Sequence, residues 1–327
     1  MKPTYKTIAE TALISGGIFA AVSYTTMRTM IARRSMGNII RQRSLSRLHD
    51  SYTHPDSDQY AYHLYMEAHG KAIREYMQDV PEEEMTAESD GLLLKGYLRR
   101  NDSHDYVIAF HGYRATHTEI DTLGFGVLFH ELGYNVLSVD QRASGNSEGK
   151  YIGMGWLERK DVLAWVNLVT EKDSEARIIL FGESMGAATV LAASGEDLPA
   201  NVKAVIADAG YRNAYVMFET SMKNIVGFTP KLLLNGASLW AKACAGYGFR
   251  EADIRGQVAK STVPVLLFHG SKDSIVPYTN MRILYEAKEK GKKEMHAASG
   301  ADHVASLFFL KEEYSETIQR FLKEAEA

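Results

Sequence analysis

Between Leu92 and Ala297 the chain alternates short runs of apolar residues with stretches in which apolar side chains recur every three or four positions. The short runs read as strands: Leu92–Leu98, Tyr106–Phe110, Asn135–Val139, Arg177–Phe181, Val202–Ala207, Val265–Phe268 and Glu294–Ala297. Several are apolar without a break, which suits a parallel sheet covered on both faces, since no side of a central strand then meets water. Between them, Val162, Trp165, Val166 and Val169, and later Ile283, Leu284 and Ala287, fall at helical spacing and read as core-facing stripes. The pattern predicts an α/β fold, a mostly parallel central sheet flanked by helices. Ahead of it, the polar, tyrosine-rich stretch Asp50–Glu84 reads as one helix over about Asp58–Met77, broken at Pro81.

The alternation lapses twice. From about residue 210 to 260 the strand signals stop, and Tyr215, Met217, Phe218, Met222, Phe228, Trp240 and Tyr247 accumulate in what reads as a helical cap. At the other end, Thr11–Met27 carries no charge and lies between Lys2/Lys6 and a basic stretch opening at Arg28. That run resembles a short membrane anchor, although Gly16-Gly17 interrupts it and its length is marginal for a bilayer. A helix lying on a membrane surface, a helix packed on the protein itself and a cleaved signal peptide are the other readings. The expected location is therefore either membrane-associated through the N-terminus or cytoplasmic.

Composition narrows the function. The 327 residues are 45% apolar and 24% charged, enough for a sizeable core in one large domain. With 37 basic against 41 acidic residues there is no overall positive field to draw in nucleic acid. The basic excess is local to the N-terminus, in Lys2, Lys6, Arg28, Arg33, Arg34, Arg41, Arg43 and Arg47. A single cysteine, Cys244, excludes an intramolecular disulfide, and no Cys/His cluster suggests zinc.

The chemistry centres on one turn. Arg177–Phe181 runs directly into Gly182-Glu183-Ser184-Met185-Gly186 and then the small-residue run Ala187–Ala193. The order is strand, Gly-x-Ser-x-Gly, helix. A sharp turn lifts the serine oxygen clear of the sheet, and the glycines on either side let strand and helix approach closely. The five-residue pattern arises often by chance; its place between an apolar strand and an alanine-rich helix gives it weight.

With His111-Gly112-Tyr113 upstream, and His269-Gly270-Ser271-Lys272-Asp273 and Asp302-His303 downstream, the sequence resembles the α/β-hydrolase superfamily of serine hydrolases from about Glu84 onward. The resemblance implies a basic N-terminal extension over 1–49, a helical lead-in over 50–84 and a hydrolase domain over 85–327 that contains the cap. It also implies the chain order nucleophile, acid, histidine, which Ser184, Asp273 and His303 satisfy. Asp208, just past the strand Val202–Ala207, is the alternative acid. His269 and His296 are alternative bases. His303 is preferred because it follows the last strand, in the loop Ser299-Gly300-Ala301-Asp302. His49, His54, His63, His69, His104, His117 and His130 precede the serine and default to surface or helix roles.

The oxyanion donors expected from the resemblance are the backbone N–H groups of Tyr113 and Met185. The Tyr113 side chain has no part in that expectation, so Tyr113→Phe should leave most activity. The loop Asp140–Gly149 has neither Gly-x-Gly-x-x-Gly nor a Gly-Lys-Ser/Thr ending, so it is no phosphate loop, and the resemblance gives it a scaffolding role. Glu219, Lys223, Lys231 and Lys242 form no recognition cluster in the cap, which favours a neutral substrate. The expected reaction is ester hydrolysis through an acyl-enzyme, on a small acyl ester, with no metal or organic cofactor. Peptidase, amidase and acyltransferase chemistry on the same triad are the alternatives, with a non-catalytic membrane-tethered binding protein behind them.

Overall fold

Strands that are apolar on both faces need cover on both, and the sheet is sandwiched accordingly. The computed structural model describes residues 5–33 and 70–326. Residues 70–79 are helical, whereas the start of the helix expected at Asp58–Met77, together with Arg34, Arg41, Arg43, Arg47, His49, His54, His63 and His69, lies outside the described residues.

Helix α1 (Tyr5–Ile31) is followed by α2 (70–79), the strands β1 (Glu82–Ser89), β2 (Leu92–Arg99) and β3 (Asp105–Phe110), then α3 (Ile120–Glu131) and β4 (Asn135–Val139). Next come α4 (Glu158–Lys172), β5 (Arg177–Glu183), α5 (Met185–Ala193) and β6 (Val202–Asp208). Three helices separate β6 from β7 (Val265–Gly270): α6 (Ala214–Val226), α7 (Lys231–Ala245) and α8 (Ile254–Lys260). The chain closes with α9 (Thr279–Ala287), β8 (Lys293–Ala298), α10 (Ser306–Leu310) and α11 (Glu312–Glu326).

The eight strands form one sheet in the order β1-β2-β4-β3-β5-β6-β7-β8. The pairs β1/β2 and β2/β4 are antiparallel and all others parallel. Alternate residues of each strand face opposite layers. Val107, Ile179, Phe181, Ile206 and Phe268 meet Phe125 and Phe129 of α3 and Tyr314, Ile318 and Phe321 of α11. Ile108, Phe110, Leu180, Val205 and Leu267 face the opposite layer, where Trp165 and Val166 of α4 and the whole of α5 are buried.

One feature departs from the sequence reading, and another selects among its alternatives. The run Glu82-Glu83-Glu84 is the start of strand β1, not the end of the lead-in. At the sheet edge, Met85, Ala87 and Ser89 turn inward while the glutamates face water and pair with Arg99, Arg100 and Lys95. A charged edge strand of this kind lacks an apolar run and discourages pairing with other chains.

The second feature is α1, for which a helix packed on the protein itself is one of the readings. Among the described residues no helix is long and apolar enough to cross a membrane. Instead α1 packs along α7, where Trp240 Nε1 donates to Ala20 O at 3.1 Å and the Tyr24 and Trp240 rings meet edge-on at 5.2 Å. A Cβ at Gly236 would lie 2.4 Å from Ser23 Oγ, so glycine permits this crossing. Met27 and Ile31 are fully buried.

The tightest approach in the fold is between β5, α5 and β3. A Cβ on Gly186 would fall 1.8 Å from Phe110 O, and one on Gly182 would fall 2.2 Å from Gly186 O. Both obstacles are backbone and cannot swing aside. Gly186→Ala should therefore destabilise the protein by on the order of 3 kcal/mol or more, whereas Gly17→Ala, with nothing within 4 Å, should not destabilise it. Urea denaturation of the two variants checks this; a Gly186→Ala midpoint equal to wild type would show that the approach is not tight.

Candidate active site

Ser184 is the single residue between the last residue of β5 and the first of α5. Its φ of 53° and ψ of −110° are unfavourable for a side chain with a Cβ and cost about 1–3 kcal/mol. Neighbours hold it there: its N–H donates to Asp208 O at 2.8 Å, and its C=O accepts from Ala188 N at 3.1 Å. The turn presents Oγ at the C-terminal edge of the parallel strands, where His303 and Asp273 also arrive.

His303 lies in the loop after β8, with Nε2 2.9 Å from Ser184 Oγ and Nδ1 2.8 Å from Asp273 Oδ2. Asp273, in the loop after β7, is held from all sides. Its Oδ1 accepts from the N–H groups of Ile275 at 2.9 Å and Val276 at 2.7 Å, and His269 Nε2 approaches Oδ2 at 3.1 Å. Burial alone would raise the Asp273 carboxyl; the charges and hydrogen bonds of His303 and His269 instead hold it far below the usual carboxylate range. Burial likewise opposes charge on His303, but the Asp273 carboxylate outweighs it and leaves the imidazole pKa raised. With Asp273 ionised, the network assigns a proton to His303 Nδ1 and leaves Nε2 to accept from the serine hydroxyl.

The alternatives have other partners. Asp208 is fully buried at the end of β6, where its carboxylate accepts from Ser306 Oγ at 2.9 Å and Tyr314 OH at 3.2 Å. Burial pushes it up to about 6 against those hydrogen bonds. His269 Nε2 sits between Asp273 and Val276 O, and His296 Nε2 is 2.5 Å from Glu294 Oε1.

The Tyr113 loop runs beside Ser184: a Cβ on Gly112 would lie 3.7 Å from Ser184 Cβ. Met185 opens α5, so its N–H has no acceptor within the helix. His111, neutral because burial lowers its pKa, donates through Nδ1 to Gly112 O at 2.7 Å and accepts through Nε2 from Gln141 N at 3.1 Å. Gln141 returns a bond to His111 O at 2.6 Å and accepts from Thr189 Oγ1 of α5 at 2.8 Å, linking the loop to the helix behind the serine. His117 does not take the surface or helix role assigned to it: it is buried, with N and Nδ1 within 3.0 and 2.9 Å of Asp140 Oδ1.

Elsewhere, a cleft of ≈ 270 Å³ lies at the opposite, N-terminal ends of the strands, where Arg177 pairs with Asp105 and Glu326. It is remote from this chemistry.

A family model described as serine aminopeptidase, S33, matches residues 101–236. The uncharacterized protein YqkD of Bacillus subtilis is 30% identical over 234 residues, covering 71% of this chain and 76% of YqkD. The chain belongs to the α/β-hydrolase superfamily. Solved structures similar to this α/β hydrolase include an esterase of Pyrococcus furiosus, with a TM-score of 0.64 and 23% identity over 78% of this chain and 93% of that one. Another is Est1E of Butyrivibrio proteoclasticus, solved with ferulic acid bound, with a TM-score of 0.58 and 20% identity over 74% of this chain and 98% of that one. At these identities the likeness concerns the fold.

Sequence reasoning overlooked three groups in this hydrolase: His269 as a second partner of Asp273, Gln141 as the link to α5, and the hydroxyl of Tyr113, which donates to Met30 O of α1. The Gln141 and Tyr113 bonds join segments far apart in the chain, whereas His269 lies only four residues before Asp273.

Because the folded-state pKa of Asp208 lies above its ordinary 3.8, the native state holds this proton more tightly than the unfolded chain. Its contribution is fully present below about 3.8 and is lost as pH rises through about 6. The stability advantage of wild type over Asp208→Asn should therefore shrink between pH 4 and pH 7 in urea titrations. An advantage that grows over that window would contradict a buried, proton-retaining Asp208.

Proposed function

We propose that the protein is a serine hydrolase that cleaves carboxylic esters through an acyl-enzyme intermediate. The observation that carries this reading is the continuous relay Ser184 Oγ, His303 Nε2, His303 Nδ1, Asp273 Oδ2, with links of 2.9 and 2.8 Å. Ser184 Oγ attacks the acyl carbonyl carbon as its proton passes to His303 Nε2, and the carbonyl π pair moves onto oxygen. The N–H groups of Tyr113 and Met185 receive that oxyanion. Collapse of the intermediate expels the alcohol, which takes the proton from His303. Water then repeats the cycle on the acyl-enzyme and releases the acid. Asp273 fixes the ring tautomer and stabilises the imidazolium throughout.

The helices between β6 and β7 serve in this reading as a cap. Phe218 of α6 stands edge-on to Tyr113 at 6.5 Å and packs on Phe249 at 4.7 Å, an apolar wall beside the oxyanion loop suited to a neutral acyl or alcohol group. The matched family model favours a second reading, cleavage of an amide or peptide by the same steps. Membrane association through residues 11–27 also belongs to the proposal; Ile18, Phe19 and Val22 of α1 are exposed apolar side chains able to lie on a lipid surface.

A panel of chromogenic acyl esters and aminoacyl anilides, with a fluorophosphonate probe, tests the assignment. Wild type should turn over esters and take the label, and Ser184→Ala should lose the label and about 10⁴- to 10⁶-fold in rate. Asp273→Asn should lose about 10⁴-fold through the wrong histidine tautomer, and Asp208→Asn far less. Labelling that survives in Ser184→Ala would refute the nucleophile; anilide turnover without ester turnover would establish the peptidase reading; neither turnover nor labelling would leave a binding protein.

A further inference from the structure

The last turn of α1 is tied to the loop beside Ser184 by side chains of that loop. The Tyr113 hydroxyl donates to Met30 O, and Arg114 Nη2 donates to Thr29 O at 2.8 Å and lies 3.4 Å from Ala32 O. Arg114 Nε donates to the Tyr113 hydroxyl at 2.7 Å, so the two side chains act as one clamp. The last carbonyls of a helix have no intrahelical donors and carry the negative end of its dipole, which suits a guanidinium. Arg114 adopts φ 59°, a conformation that costs a residue with a Cβ free energy and persists where surrounding contacts enforce it.

The helix end that receives these bonds is itself fixed. Met27 and Ile31 are fully buried, Ile31 O accepts from Ile152 N at 2.7 Å, and Arg33 N donates to Lys150 O at 3.1 Å. The Arg33 guanidinium donates to Gly145 O at 2.7 Å and to Ser147 O. The loop from His111 to His117 is thus gripped at its start by Gln141, at its end by Asp140, and in the middle by α1. The middle grip falls on Tyr113, the residue whose amide the proposed mechanism assigns to the oxyanion.

We propose that the C-terminal turn of α1 is a positioning element of the active site: through Tyr113 OH and Arg114 it fixes the orientation of the Tyr113 amide that receives the oxyanion. This rests on the assignment of the Tyr113 N–H as an oxyanion donor. Residues 29–32 lie outside the segment that the family model matches, so the hydrolase core is completed by a part of the chain that precedes it. It also reverses the expectation that Tyr113→Phe is harmless, because the hydroxyl holds the helix end even though it never meets substrate. A misplacement of about 1 Å at a catalytic group costs about a hundredfold in rate.

The test uses the full chain carrying Tyr113→Phe, Arg114→Met or Arg114→Lys. For each, kcat and KM are measured on a short-chain p-nitrophenyl ester, together with the Ki of a trifluoromethyl ketone of the same acyl length, whose adduct with the serine carries the oxyanion. The expected result is a fall in kcat of about tenfold to a hundredfold for Tyr113→Phe and Arg114→Met, with KM nearly unchanged and the ketone Ki rising in proportion. Arg114→Lys, which keeps one cationic donor, should recover part of the loss. Tyr113→Phe preserves the ring and its packing, so it reports even where an Arg114 variant fails to fold. Unchanged kcat in folded Tyr113→Phe, or a loss of kcat with unchanged ketone affinity, would overturn the proposal while leaving the triad standing. A wild type that neither hydrolyses esters nor binds the ketone would overturn both.

Discussion

The structure depends on a backbone contact that no side chain could share. Gly182 and Gly186 bring β5, α5 and β3 so close that the chain must reverse at Ser184 in a conformation unfavourable to serine. That reversal lifts Oγ out of the sheet, and everything else at the site is arranged around where it emerges. The penalty at one residue is offset by the burial of α5, whose nine residues are all buried.

Around that fixed point the charges are arranged by desolvation and by donors. Asp273 stays ionised although its side chain is buried, because backbone amides and two imidazoles converge on it. Asp208, equally buried and one strand nearer Ser184, is met by hydroxyls rather than cations and retains its proton to higher pH. Two carboxylates at the same sheet edge therefore differ in character through their neighbours alone, which is why chain position could not separate them.

Several of the parallel strands were legible because they are continuous apolar runs, and the turn at Ser184 because strand, glycines and helix follow one another without a gap. β1 escaped notice because its outward face is a run of glutamates and only Met85, Ala87 and Ser89 carry its burial. The seating of α1 was legible only as one of several readings of an uncharged stretch. What decides it is Ser23 against Gly236 and Tyr113 against Met30, contacts between segments distant in sequence that periodicity does not encode. His269, only four residues before Asp273, reads as a strand-end histidine until the turn after β7 lays it against that carboxylate.

In the proposed mechanism Ser184 Oγ and the amides of Tyr113 and Met185 converge on one reacting centre. A crystal structure of the protein after reaction with a p-nitrophenyl alkylphosphonate measures this directly. The expected result is phosphorus bonded to Ser184 Oγ and the phosphoryl oxygen about 3 Å from both amide nitrogens. A phosphoryl oxygen turned away from those amides, or an adduct on another residue, would contradict it.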